Sequence, residues 1–305
     1  MPIECGTGWA GPPCPCRRAL PQTLRAPGRP PPAVPRARRA LPCRIPAGPV
    51  PPGSLNSPNN REPALEDAEY ALMDAAEERM WWYRAIHARL LGVLAARPGL
   101  PGLPVLDAGC GTGGFLRRLA ETTPRPAIGL DYNPAAAARA AAKSGQPTTG
   151  GTVNDLPFPD AAFGAAVSVD VLCHAAVDQE RALAELHRVL APGATLVLNL
   201  PAFAWMFSAH DVRVHNARRY TASGARAVLR AAGFADVTAR YWNSLLLPLM
   251  VLQRKVLARG EDHASDVGDF PPWLNRVLHG VSEVERRAGL SLPAGGSVLV
   301  TATRP

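Results

Sequence analysis

Residues 105–116 read Val-Leu-Asp-Ala-Gly-Cys-Gly-Thr-Gly-Gly-Phe-Leu, and no other stretch constrains the fold as tightly. A short apolar run enters a glycine-rich turn, and the turn opens a helical pattern. Glycine allows positive φ and lets a ligand come close to the backbone. Gly109, Gly111 and Gly114 satisfy Gly-x-Gly-x-x-Gly, and Asp131 follows 22 residues after Gly109 at the end of the next apolar run. An acid at that distance is where a ribose-binding carboxylate stands in nucleotide sites. The segment predicts strand, turn and helix around a nucleoside-containing ligand.

The surrounding pattern is consistent with that element. Strand-like runs occupy 105–107, 127–130, 163–169, 195–200, 237–242 and 297–301, with helical patterns at 114–120, 134–143, 180–190 and 223–232. Trp82, Ile86, Leu90 and Val93 recur at helical spacing before Pro98. Strand and helix in alternation predict an α/β fold with a mostly parallel sheet covered on both faces. Asp107 narrows the ligand. A dinucleotide lays a pyrophosphate over such a turn, and a carboxylate at the strand end would repel it. S-adenosylmethionine (SAM) carries an α-ammonium that Asp107 can serve, with loop amides left for its carboxylate. The alternative for Asp107 is a carboxylate that only caps the turn.

Four segments then carry a family resemblance. Residues 105–113 resemble the first motif of class I SAM-dependent methyltransferases of the type 11 methyltransferase domain family. Gly-Leu-Asp-Tyr-Asn at 129–133 resembles the second, Leu-Pro-Phe-Pro-Asp-Ala-Ala-Phe at 156–163 the approach to the fourth strand, and Leu-His-Arg-Val-Leu-Ala-Pro-Gly-Ala at 186–194 the turn before the fifth. The resemblance covers residues 63–305 and implies a Rossmann-like, seven-stranded sheet whose last strand is antiparallel. It implies SAM as cofactor, held by Asp107, Gly109, Cys110, Gly111, Gly113, Asp131 and Tyr132. Two positions depart from the family pattern. Thr152 stands where many members place an acid for the adenine amino group, so the adenine contacts are spread over Thr152, Val153 and Asp155. Gly164 replaces an acid at the start of the fourth strand, a loss read as structural.

By the same analogy the methyl acceptor sits beyond the carboxyl ends of strands four and five. Residues 168–174 bring Asp170 and His174 there, and 201–220 bring His210, Asp211, His215, Arg218, Arg219 and Tyr220. Methyl transfer needs alignment of the nucleophile and, for a hydroxyl, removal of a proton. His210, His215, Asp170 and His174 are therefore the catalytic candidates, and Arg218 or Arg219 could clamp an acidic group. The competing reading is that Asp211 and Arg219 pin the loop. Spacing His-x4-His lacks a third ligand, so no metal is expected. Residues 201–222 and 243–290 read as substrate-side insertions. Within the latter, 243–257 is apolar with a basic end (Arg254, Lys255), which fits a core or lid helix, a lipophilic acceptor, or a peripheral membrane contact. Trp81, Trp82 and Tyr83 either cover the cofactor or pack on the sheet, and packing is the default. Gly260–Asp269 reads as an acidic loop.

Composition separates a tail from a body. Residues 1–63 hold 17 of the 33 Pro, 9 of the 33 basic residues, 4 of the 6 Cys and only 2 acids, leaving 24 basic and 23 acidic residues in 64–305. The basic pI belongs to the tail, which removes most of the support that total charge lends to a nucleic-acid partner, and none is expected. Residues 1–62 read as a disordered, Pro/Arg-rich tail with incidental cysteines, or as a segment ahead of the true translation start. It has no apolar core of a signal peptide. Cys110 and Cys173 alone give no disulfide framework, which points to the cytoplasm, and no run is long enough to span a bilayer. The resulting expectation is a SAM-dependent methyltransferase acting on a small or lipophilic acceptor, on oxygen in preference to carbon. An NAD(P)-dependent oxidoreductase and a non-catalytic SAM-binding protein are the alternatives, and oligomeric state is left open.

Overall fold

Strands buried on both faces read as continuous apolar runs, and adjacent residues of such strands enter different cores. A computed structural model of the chain describes residues 67–253 and 270–305. Its elements are α1 (Asp67–Ala76), α2 (Trp81–Ala96), β1 (Val105–Ala108), α3 (Gly114–Thr122), β2 (Ala127–Asp131), α4 (Pro134–Ser144), β3 (Thr148–Gly150) and β4 (Phe163–Val169). They continue as α5 (Gln179–Val189), β5 (Leu190–Pro201), a short α6 (Ala209–Arg213), α7 (Ala222–Ala231), β6 (Ala235–Trp242), α8 (Leu247–Leu252), α9 (Pro272–Arg287) and β7 (Ser297–Thr303).

The strands form one seven-stranded sheet in the order β3-β2-β1-β4-β5-β7-β6. Pairings from β3 to β5 are parallel, whereas β7 runs antiparallel between β5 and β6. Leu106, Ala166, Leu196 and Leu198 pack on one face with Leu183 and Leu186 of α5 and Leu229 of α7. Their strand neighbours Val105, Ala165, Val167 and Val197 pack on the other with Ile86 and Leu90 of α2, Leu116 of α3 and Ala140 of α4. Two faces of one sheet thus carry two cores, as the strand–helix alternation requires. Strand order reverses between β1 and β4, which opens a crevice at their carboxyl ends.

The expected architecture is the observed one, with differences at particular elements. The strand β3 spans three partly exposed residues at the sheet edge, too short and polar to produce a periodic signal. Helix α5 runs straight into β5, so that strand starts at Leu190 rather than Thr195. Gly164 has a steric cause: a Cβ there would meet the Leu100 carbonyl oxygen at 2.2 Å. Leu100 also donates its N–H to the Gly164 carbonyl. The tail, its cysteines, Arg254, Lys255 and the loop at 260–269 lie outside the described residues. No described helix is long and apolar enough to cross a membrane.

Candidate active site

The glycine turn takes the backbone shape its sequence allows. Gly109, Gly111 and Gly113 have φ of 90°, 53° and 91°. A Cβ at Gly109 would lie 2.2 Å from Val171, and one at Gly111 would lie 2.8 Å from the Met73 sulfur. Gly113 does a different job. A Cβ there would collide with Ala140 of α4 at 2.6 Å, so this glycine lets α3 and α4 approach, and it does not line the cavity beside the turn.

The amides of the turn are engaged inside the protein, which differs from the expectation that they await a ligand carboxylate. Gly109 and Cys110 donate to the Leu130 carbonyl, and Gly113 donates to that of Cys110. Gly111 N–H donates to Oδ2 of Asp131 at 2.7 Å. Oδ1 of Asp131 accepts from the Tyr70 hydroxyl at 2.9 Å and from Asn133 N–H at 3.0 Å. Helix α1 therefore lies over the turn. At its end, buried Glu77 accepts from the Thr112 hydroxyl at 2.7 Å and pairs with Lys143. The Gly114 N–H bonds it as well. That carboxylate fills the N-terminus of α3, the place where a nucleotide phosphate would find backbone donors.

Asp107 is 2% exposed, and its Oδ2 has no hydrogen-bond partner among the described residues. Burial, together with the Asp131 and Glu77 charges, pushes its carboxyl up to about 8. Burial likewise raises Glu77 and Asp131. The Cys110 thiol is also raised, chiefly by burial, so it is not a thiolate nucleophile. A carboxylate aimed into a cavity without a donor of its own suits an ammonium, and three carboxylates around the turn oppose a pyrophosphate. The residues present fit SAM. Of the adenine candidates, Val153 lines the cavity but Thr152 and Asp155 do not. The Thr152 hydroxyl accepts from Asn154 N–H at 3.1 Å, and Asp155 is exposed. Both belong to a local turn.

The far end of the cavity is assembled by two loops zipped together. Ala175 N–H donates to the His215 carbonyl at 2.8 Å, and Ala217 N–H donates to that of Cys173 at 2.8 Å. Asp170, held at φ 53°, accepts from Asn199 Nδ2 at 2.9 Å, and Asn199 accepts from Trp242 Nε1 at 2.8 Å. Asp170, His174 and His210 line the cavity, whereas His215 does not and serves through its backbone. Burial lowers the pKa of His174, with the Val214 and Asp170 carbonyls acting in the opposite sense. The imidazole is thereby favoured in its neutral, proton-accepting form.

The two arginines do structural work. Arg218 donates to the carbonyls of Leu172, His174 and Val177. Arg219 lines the cavity, but it forms a two-pronged pair with Asp211 at 3.0 and 2.8 Å and donates its third arm to the Ala202 carbonyl. Burial alone would raise Asp211; Arg219, Asn216 and the Ser208 N–H hold it below its ordinary value. Among the described residues no group of three His, Cys, Asp or Glu side chains could hold a metal ion.

Between the two ends lies a cavity of about 350 Å³, within the usual size of small-ligand sites. Trp81, Trp82 and Tyr83 all line it, so these aromatics cover the cavity as well as packing. Tyr70, Glu77 and His87 line it too and escape a reading of the sequence, because nothing in their local pattern differs from that of an ordinary helix. His87 is pushed down to about 3 by burial and by Arg118, so it stays neutral.

Comparison with known proteins decides the family. A model of the methyltransferase domain matches residues 106–198. A probable SAM-dependent methyltransferase of Mycolicibacterium smegmatis is 30% identical over 185 residues, covering 59% of this chain and 70% of that protein. The chain belongs to the SAM-dependent methyltransferases. It is an enzyme family with SAM as cofactor, which sets aside both the oxidoreductase and the non-catalytic binder. The 24-methylenesterol C-methyltransferase 2 of Arabidopsis thaliana is 33% identical over 122 residues, 36% of this chain and 32% of that protein. The O-methyltransferase resE of Aspergillus sclerotiorum is 33% identical over 133 residues, 41% of this chain and 47% of that protein. The chain therefore spans a third to a half of the length of these last two relatives. A SAM-dependent methyltransferase structure from Thermotoga maritima shares the fold with a TM-score of 0.50 at 19% identity, over 79% of this chain and 96% of that one.

Proposed function

We propose that this methyltransferase acts on a hydroxyl oxygen of a small, lipophilic acceptor, with His174 taking the proton. The observation that carries the reading is the pairing, in one cavity, of an apolar wall with the imidazole of His174. Met80, Trp81, Ile86, Met250 and Phe270 supply the wall; His174 lies at the loop end beside Asp170 and His210. Burial favours the uncharged form of His174. Asp107 would hold the ammonium of SAM and Asp131 its ribose, while Glu77 keeps phosphate-bearing ligands off the turn. The bound sulfonium supplies the methyl group. The acceptor oxygen would gain it as its own proton passes to His174, with S-adenosylhomocysteine as the leaving group.

A screen of lipophilic phenols and alcohols as acceptors would identify turnover, read as S-adenosylhomocysteine release. His174→Gln should then lower kcat by about a hundredfold to ten-thousandfold, with SAM affinity unchanged. In the wild type, kcat should fall on the acid side only below the ordinary histidine range, because the lowered pKa keeps His174 neutral to lower pH. A His174→Gln enzyme with wild-type kcat would remove the base assignment. Methylated carbon in the product would make the reaction a C-methylation.

A further inference from the structure

We propose that the outward faces of α8 and α9 form a docking surface for an anionic lipid bilayer beside the cavity. The inference rests on the surface itself and stands independently of the acceptor atom.

Helix α9 is divided sharply between an inward and an outward face, whereas α8 buries none of its residues. On α9 the inward side is fully committed. Leu278, Ser282 and Glu285 are buried, and Asn275 accepts from Trp81 N–H and donates to the Arg79 carbonyl, both at 2.6 Å. The Glu285 carboxylate accepts from the N–H groups of Asn243, Ser244 and Leu245 at 2.7, 2.7 and 3.1 Å and lies 3.5 Å from Arg89. Leu246 joins Trp81 and Leu278 in the small core beneath. These contacts fix α9 and the start of α8, so their outward residues have no inward alternative.

Those outward residues are apolar. Trp273, Val277 and Val284 of α9 are 66%, 53% and 61% exposed, and Leu249 and Leu252 of α8 are 47% and 45% exposed. The spacing 273, 277, 284 keeps the α9 side chains on one stripe. Trp is the residue whose amphipathic ring suits the headgroup level of a bilayer. Cavity-lining residues lie within a turn of them: Met250 and Gln253 alternate with Leu249 and Leu252, and Phe270 precedes Trp273.

Charge chooses the occupant. Arg276 and Arg287 flank the stripe and are exposed. Arg286 and Arg287 share the single carboxylate of Glu283 and Glu285 is buried, so α9 keeps Arg276, Arg286 and Arg287 against one outward glutamate; α8 carries no acid. A second copy of this face would bring arginine against arginine, whereas anionic headgroups would complement it.

The test uses the full chain and sedimentation with vesicles of phosphatidylcholine alone or of three parts phosphatidylcholine to one part phosphatidylglycerol. The protein should partition onto the phosphatidylglycerol vesicles. The double variant Trp273→Ser, Val277→Ser should lose about tenfold or more in partition coefficient, with unfolding temperature and SAM affinity unchanged. Arg276→Gln with Arg287→Gln should weaken binding severalfold and reduce its salt dependence. The basic tail is present in every variant, so binding that survives the Trp273/Val277 change would belong to the tail and overturn the proposal. A monomer–dimer equilibrium abolished by the same variant, without vesicle binding, would also overturn it, in favour of a second copy on this face.

Discussion

At the β1 end of the cavity, the backbone facing a ligand comes from one continuous strand–turn–helix, joined by Asp131 at the end of the neighbouring strand and covered by Tyr70 and Glu77. At the loop end the facing groups come from the tip of β4, α6 and the segments after it, with Asn199 of β5 and Trp242 of β6 supporting Asp170 from behind the cavity wall. The first end is held by backbone geometry, since positive φ and missing Cβ atoms leave few sequences able to make it. The second is held by side chains that bind carbonyls and one another across long stretches of chain. A local pattern can specify the first; the second is specified only by the finished fold.

The sharpest way to break this comparison is to remove the pins of the loop end. Asp211 and Arg219 are almost wholly buried. Truncating either leaves the other charge buried and unpaired, at a cost of about 3–5 kcal/mol. Arg219→Ala should therefore lower the unfolding temperature by roughly 10 °C, at 2–4 °C per kcal/mol for a domain of this size. Calorimetry checks it. An Arg219→Ala protein of wild-type stability that has lost turnover would make Arg219 an acceptor-binding group after all.

A smaller effect separates the two ends by pH. The native pKa of Asp107 is raised to about 8, so the folded state binds its proton over a window in which the unfolded state has released it. Its contribution to stability is complete below the ordinary aspartate range and is lost as pH rises toward 8. Glu77 and Asp131, also raised, act in the same sense. Without SAM, thermal stability should decline between about pH 5 and 8, and Asp107→Asn should flatten that slope. An unchanged slope would place the titrating group elsewhere. Smaller still, Asp155→Asn should shift SAM affinity by less than about twofold, since exposed residues away from a site contribute little. A larger loss in a titration would return Asp155 to the adenine site.

What the sequence could and could not disclose follows the same division. The turn at 105–116, Asp131 and the strand–helix alternation were legible, because each is a local pattern of residue types. Thr152 and Asp155 were drawn in by a family position, yet the turn they belong to bonds to itself. Gly113 matched the motif but serves helix packing against Ala140. His210 and His215 stand five residues apart, and only the first lines the cavity. Tyr70, Glu77, His87 and Asn199 were missed because their roles depend on partners far along the chain: 61 residues separate Tyr70 from Asp131, and 35 separate Glu77 from Thr112. Helix α9 falls within the stretch 243–290 that reads as one insertion, although its amphipathic spacing marks it as a helix.

The contact proposed between Asp107 and the ammonium of SAM is what most distinguishes this turn from a dinucleotide site. Calorimetric titration of wild-type protein and Asp107→Asn with S-adenosylhomocysteine and with 5′-methylthioadenosine, which lacks the amino acid portion, tests it directly. A charged hydrogen bond is worth about 1.5–3 kcal/mol, so the substitution should weaken S-adenosylhomocysteine by roughly tenfold to a hundredfold and leave methylthioadenosine unchanged. Equal weakening of both ligands would contradict the assignment and make Asp107 a prop of the glycine turn.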